Sequence, residues 1–146
     1  MYRVQRCGRP VAFLQAGGER VGDILLMEDD ELLRGLVAEW LTCAGYRTRE
    51  ADNAEIGLRL LRERKATLVV TDMHMPGLPG TETLSALHRE FDGLPVIAIS
   101  AHFRSGRGVP PDTALALGAR KVLAKPFTCQ ELLSAVQELI GSAAQE

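Results

Sequence analysis

Four apolar runs end in residues that could do chemistry together. Ile24 to Met27 stops at Glu28-Asp29-Asp30, and Leu68 to Thr71 stops at Asp72. Pro95 to Ile99 stops at Ser100, and Lys121 to Ala124 stops at Lys125-Pro126. In an open α/β sheet of parallel strands, such tips lie on one rim, which is where ligands bind. Carboxylates gathered there repel one another unless a cation joins them. A hard divalent ion with oxygen ligands, such as Mg²⁺, meets that need at Glu28, Asp29 and Asp72. Lys125 supplies a compact positive charge, and Ser100 can donate a hydrogen bond. The set suits phosphoryl transfer to a carboxylate, with metal and lysine neutralising phosphoryl oxygens while Asp72 attacks in line. Each residue also has a plainer explanation. Asp72 can cap a turn, and Glu28-Asp29 can sit on a helix dipole. Ser100 can be an ordinary strand-end hydroxyl, and Lys125 a solvated cation.

The elements that must position these residues are legible in the hydrophobic pattern. After the first strand, Leu32, Leu33, Leu36, Val37, Trp40 and Leu41 recur at helical spacing as one apolar stripe, and Gly45 is placed to end that helix. Tyr46 to Ala51 reads as a second strand. Asn53 is a candidate cap for a helix carrying Ile56, Leu58, Leu60 and Leu61. After Asp72, Pro76 and Gly77 forbid regular continuation. Thr81 is a candidate N-cap of a third helix with Leu84 and Leu87 inward. Pro95 to Ser100 is continuously apolar, as in a sheet covered on both faces. A short helix is expected from Asp112 to Leu117. The last helix begins near Thr128, where Thr128-Cys129-Gln130-Glu131 matches a capping box. Strand and helix alternate five times, which predicts an α/β fold with a parallel sheet and helices on both faces.

Composition sets limits. A chain of 146 residues suits one domain, and 46% hydrophobic with 25% charged residues is ordinary for a globular protein. A net charge of −2 gives no argument for nucleic-acid or membrane binding. No apolar run approaches the ~18 residues of a membrane span. Neither G-x-G-x-x-G nor a P-loop occurs. Cys7, Cys43 and Cys129 lack metal-ligand spacing, so reduced thiols in a cytoplasm fit best, with Cys43 and Cys129 as small apolar fillers. Residues 1–22 stand apart from the domain expected over 23–146. They hold Arg3, Arg6, Arg9 and Arg20 against Glu19, broken by Pro10, Gly17, Gly18 and Gly22. A basic, flexible extension is expected there. A mis-assigned start and an arm touching a partner are the other readings.

The chain resembles the receiver domain of two-component response regulators over about residues 23–142. The resemblance rests on Ile24 to Asp30, on Asp72 with Met75-Pro76-Gly77 and Gly80, on Ile99-Ser100-Ala101, on Gly118-Ala119, and on Lys125-Pro126-Phe127. It implies a (βα)5 flavodoxin-like, doubly wound sheet with strand order 2-1-3-4-5. It implies Asp72 as phospho-acceptor, with Glu28 and Asp29 positioning Mg²⁺ and the His74 carbonyl completing the metal shell. Ser100 would turn towards the phosphoryl group and Lys125 would pair with it. The Lys125–Pro126 bond is expected to be cis, as in many relatives. A sensor histidine kinase or a histidine phosphotransfer protein would be the donor. A downstream protein would be the target, with a phosphorylation-dependent homodimer as an option.

Several residues depart from the family pattern. Val122 stands where relatives carry an aromatic that passes the signal on. The stretch from Ser100 to Gly118 is long and rich in glycine and proline, which suggests a distinct loop above the site. His74 and His102 each lie two residues after a site residue, at positions that in the family tune how long the phosphoryl group lasts. An imidazole titrates near ~6.5, so a lifetime that varies between about pH 6 and 8 is expected, unless both are simply solvated loop residues. His88 is expected on an exposed helical face. Only Ser142 to Glu146 follow Gly141, so a stand-alone cytoplasmic receiver is expected, catalysing only its own phosphorylation and dephosphorylation. A receiver-like interaction module acting without phosphorylation is the alternative. An enzyme with an aspartyl-phosphate intermediate, or a flavodoxin-like cofactor binder, ranks third.

Overall fold

The structure, a computed structural model, describes residues 22–142. The basic extension expected over 1–22 lies, Gly22 apart, outside the described residues. Five strands alternate with five helices in the order β1 (Asp23–Met27), α1 (Glu31–Cys43), β2 (Arg47–Ala51), α2 (Ala54–Glu63), β3 (Leu68–Asp72), α3 (Gly80–Glu90), β4 (Val96–Ser100), α4 (Pro111–Ala116), β5 (Lys121–Ala124) and α5 (Cys129–Ile140). All strand pairs are parallel and the sheet order is β2-β1-β3-β4-β5. This is the doubly wound, flavodoxin-like (βα)5 arrangement.

The strands read as unbroken apolar runs because both faces of the sheet are covered. Successive side chains point to opposite faces. Ile24, Leu26, Val70, Ile97 and Ile99 enter one core with Val37 and Leu41 of α1 and Leu132 and Val136 of α5. Leu25, Met27, Val69 and Ala98 enter the other with Leu58 and Leu61 of α2, Leu84 and Leu87 of α3, and Ala114 of α4. Truncating a fully buried leucine such as Leu41 or Leu87 to alanine typically costs about 3 kcal/mol. Trp40 meets Phe127 edge to face, with ring centroids 6.4 Å apart.

The helix starts explain where the strand tips lie. Asp30 caps α1, accepting the amides of Leu32 and Leu33. Asn53 accepts the Ile56 amide at 2.8 Å and caps α2. Thr128 and Glu131 form the reciprocal capping box of α5. At the far end of the sheet, Arg49 donates to the carbonyls of Leu60, Arg64 and Lys65 and pairs with Asp23 at 3.2 Å. Its guanidinium thus satisfies the Arg64 and Lys65 carbonyls just past the end of α2 and shares the Leu60 carbonyl with the Arg64 amide.

Three expectations need correction. Thr81 is not the cap of α3: the helix begins at Gly80 with Pro79 at the N-cap and no side-chain cap bond. Leu32 is not in the core stripe and is 81% exposed. At 100° per residue it stands well round the helix from Leu33, Val37 and Trp40, which point inward. Cys43 is disulfide-bonded rather than a reduced filler, whereas Cys129 is free.

Candidate functional site

The carboxylates at the ends of β1 and β3 converge. Ligand oxygens of Glu28, Asp29 and Asp72 all lie within 4.8 Å of one another. Pairing of Leu26 with Val70 and of Met27 with Thr71 sets β1 beside β3 so that the next residues of both strands meet at the rim. Glu28 is 1% exposed and Asp72 3% exposed, while Asp29 faces solvent. Asp72 Oδ1 accepts the His74 amide at 3.1 Å, and its Oδ2 accepts Lys125 Nζ at 2.9 Å. Lys125 Nζ also lies 3.3 Å from Glu28 Oε1.

The loop after Asp72 must turn sharply. Gly77 has φ +96°, a left-handed value that suits glycine. At Gly80 a Cβ would stand 2.4 Å from the Met73 carbonyl oxygen, so α3 can start this close to the strand only without a side chain.

The electrostatics leave the acidic group under-compensated. Burial, then the charge of Asp72, raises the Glu28 carboxyl to about 7, although the Asp30 amide and Lys125 pull the other way. Glu28 Oε1 is buried and makes no hydrogen bond. For Lys125, burial disfavours the ammonium, but the hydrogen bond and charge of Asp72, with Glu28 behind them, outweigh it and raise its pKa. Glu28 Oε1 has only the ion-pair contact with Lys125 Nζ, an ammonium it shares with Asp72, and three carboxylates converging on one ammonium fit a hard cation with oxygen ligands.

The remaining residues singled out in the sequence surround this centre. Ser100 is buried at the end of β4, and its Oγ accepts the His102 amide at 2.9 Å. The rings of His74 and His102 meet edge to face, with centroids 4.5 Å apart at 77°. Val122 is half-buried against the core of the α2, α3 and α4 face, together with Phe103, Val109 and Leu117. The Lys125–Pro126 peptide is cis. His88 is exposed on α3.

Arg34 escaped the sequence reading. From α1 its Nη1 donates to the Glu28 carbonyl at 3.0 Å, and its Nε pairs with Glu50 of β2 at 3.2 Å. On a helix an arginine looks like a solvated surface residue, and only the placement of β2 beside β1 reveals the contact.

A parallel α/β sheet with an acidic cluster and a lysine on its C-terminal rim is the arrangement of a receiver-type domain. The chain belongs to the response regulator receiver domain family, whose sequence profile matches residues 24–137. It is 34% identical over 113 residues to the response regulator protein FleR of Pseudomonas aeruginosa, covering 77% of this chain and 23% of FleR. It is 34% identical over 124 residues to the sensor histidine kinase AruS of the same organism, covering 80% of this chain and 12% of AruS. The chain therefore spans less than a quarter of either relative. Among solved structures, the receiver domain of NtrX from Brucella abortus is 30% identical with a TM-score of 0.75, over 81% of this chain and 98% of that one. The chemotaxis response regulator CheY4 of Vibrio cholerae shares the fold at 22% identity, with a TM-score of 0.74 over 83% of this chain and 100% of that one. Among the described residues, no helix is long and apolar enough to cross a membrane.

Proposed function

We propose that this receiver is a phosphorylation switch in which Asp72 takes a phosphoryl group from a histidine kinase or a histidine phosphotransfer protein. The observation that carries the reading is the bond from Lys125 Nζ to Asp72 Oδ2, beside a buried Glu28 oxygen that has no hydrogen bond. In the transfer, an Asp72 carboxylate oxygen attacks phosphorus. The new O–P bond forms as the donor's P–N bond breaks, and the departing imidazole keeps the electron pair and takes up a proton. Lys125 holds the phosphoryl oxygens by charge, and the Ser100 hydroxyl donates to one of them. Glu28, Asp29, Asp72 and the His74 carbonyl would hold Mg²⁺, which offsets phosphoryl charge when bound. His74 and His102 flank the group and set how long it lasts.

The protein is not an enzyme towards other substrates in this reading. It catalyses its own phosphorylation and dephosphorylation and acts in the cytoplasm by binding a downstream protein, with no direct contact to nucleic acid or membrane. The added charge biases a two-state surface, and a phosphorylation-dependent homodimer is one form that readout can take.

Incubation with acetyl phosphate and Mg²⁺ followed by intact mass measurement tests the reading. One phosphoryl adduct, absent in Asp72→Asn and absent with EDTA, supports it. No adduct under any condition overturns it in favour of an interaction module that works without phosphorylation, for which Val122 in place of an aromatic is the motivating residue. Steady turnover of a small phosphoester points instead to an enzyme.

A further inference from the structure

We infer that Arg34 is a positioning residue for the cation-binding carboxylates, an inference that rests on the reading of Glu28, Asp29 and Asp72 as a Mg²⁺ site. The carbonyl that Arg34 Nη1 binds at 3.0 Å is that of Glu28. That carbonyl belongs to the planar peptide joining Glu28 to Asp29, so its orientation fixes the direction in which the Asp29 backbone leaves the strand. The same turn is held at two other points. The Glu28 amide donates to the Ala51 carbonyl at 3.0 Å, and the Asp30 amide donates to Glu28 Oε2 at 3.0 Å. These two bonds set the amide and the side chain of Glu28. The carbonyl side of the peptide depends on Arg34.

The arginine is itself aimed. Its side chain is 19% exposed, and its Nε faces Glu50 Oε1 at 3.2 Å, so the guanidinium fork spans from β2 to the end of β1. Glu50 is 44% exposed, so the ion pair adds little stability by itself. Its effect is geometric: one edge of a rigid, planar donor is pinned, which directs the other edge at the Glu28 carbonyl. Lysine carries the charge but not the fork, and its single nitrogen cannot reproduce both contacts in that geometry. Without the anchor, repulsion among the carboxylates is free to rotate the Glu28–Asp29 peptide and spread the ligand oxygens.

The test is a Mg²⁺ titration of the whole protein followed through its backbone amide NMR shifts, which reports affinity and fold together. The variants are Arg34→Ala, Arg34→Lys and, as control, Arg49→Ala, which removes a guanidinium with a similar carbonyl-binding task at the opposite end of the sheet. Arg34→Ala and Arg34→Lys are expected to weaken Mg²⁺ binding about tenfold while the folded amide pattern persists. Arg49→Ala is expected to lower the melting temperature and leave Mg²⁺ affinity unchanged. Where Arg34→Ala does not fold, Arg34→Lys carries the test. Parent-like affinity in the folded Arg34 variant, or an equal loss in Arg49→Ala, overturns the role given to Arg34 and leaves the Mg²⁺ site standing. A parent protein that binds no Mg²⁺ overturns the site itself, and the role of Arg34 with it.

Discussion

Lys125 Nζ donates to Asp72 Oδ2 at 2.9 Å although their strands are not neighbours, since β4 runs between β3 and β5. The contact exists because both residues stand at the tips of their strands, where the lysine side chain can reach across the end of β4. Lys125 is thus the cation joined to two nearly buried carboxylates, and its removal leaves both without a counter-charge. Lys125→Met keeps much of the side-chain length and discards the charge. It is expected to lower folding stability at pH 8 by about 3 kcal/mol in chemical denaturation. It is also expected to slow phosphorylation by acetyl phosphate about a hundredfold. Parent-like stability and rate in this variant would remove Lys125 from the site.

Glu28 makes stability depend on pH in a direction opposite to that of an ion-paired carboxylate. Its carboxyl is raised to about 7 from an ordinary 4.5, first by burial and then by the charge of Asp72. The folded protein therefore holds this proton more tightly than the unfolded chain. Below pH 4.5 Glu28 is protonated in both states, and above about 7 it is ionised in both, with the folded state bearing the full penalty. Between those limits its contribution to stability falls as pH rises, by on the order of 3 kcal/mol in total. In EDTA, Glu28→Gln is expected to be more stable than the parent at pH 8 and nearly equal to it at pH 4. With saturating Mg²⁺, the pH 8 gap is expected to shrink, because the cation offsets the charge that glutamine removes. Melting curves at the two pH values check this, and a gap that does not change with pH contradicts it.

The fold was legible because its signals are local and redundant. Each strand is a short apolar run closed by a polar residue, and Asn53 and Thr128 announce the starts of α2 and α5 by their capping chemistry. Once the strands are parallel, Glu28, Asp29, Asp72, Ser100 and Lys125 fall on one rim by topology alone. What stayed hidden depends on distant atoms. Thr81 has the right chemistry for a cap, but α3 starts one residue earlier because Gly80 can press against the Met73 carbonyl. Leu32 obeys the i to i+4 spacing with Leu36, yet the helix turns it away from the sheet. Arg34 acquires its task only from Glu28 and Glu50, which the sheet brings to it.

Ser100 carries a load besides any contact with a phosphoryl group. It is 1% exposed, and its hydroxyl is the acceptor for the His102 amide at 2.9 Å. Ser100→Ala deprives that donor of its partner, and the expected cost is about 1 kcal/mol. Ser100→Thr keeps the hydroxyl and is expected to restore most of that stability. Comparing the two by denaturant titration separates the hydroxyl from the added methyl. An alanine variant as stable as the parent would mean that solvent replaces the bond.

The two histidines join the β3 and β4 ends of the site. The His74 amide binds Asp72, the His102 amide binds Ser100, and the rings meet at 4.5 Å. The long loop closes on them from Gly108, where a Cβ would stand 3.4 Å from His102 Cβ and 3.5 Å from His74 Cε1 and where φ is +64°. The two rings, His74 exposed and His102 half-buried, stand beside the end of β3, where they can screen a phosphoryl group from water. An aspartyl phosphate formed there loses its phosphoryl group by attack of water, so access sets its lifetime. Replacing the rings in the double variant His74→Asn/His102→Ala is expected to shorten that lifetime several-fold without abolishing phosphorylation, because neither substitution removes an amide that binds Asp72 or Ser100. The decay of the intact-mass adduct after removal of acetyl phosphate measures it. An unchanged lifetime would show that water reaches the phosphoryl group by another side of the rim.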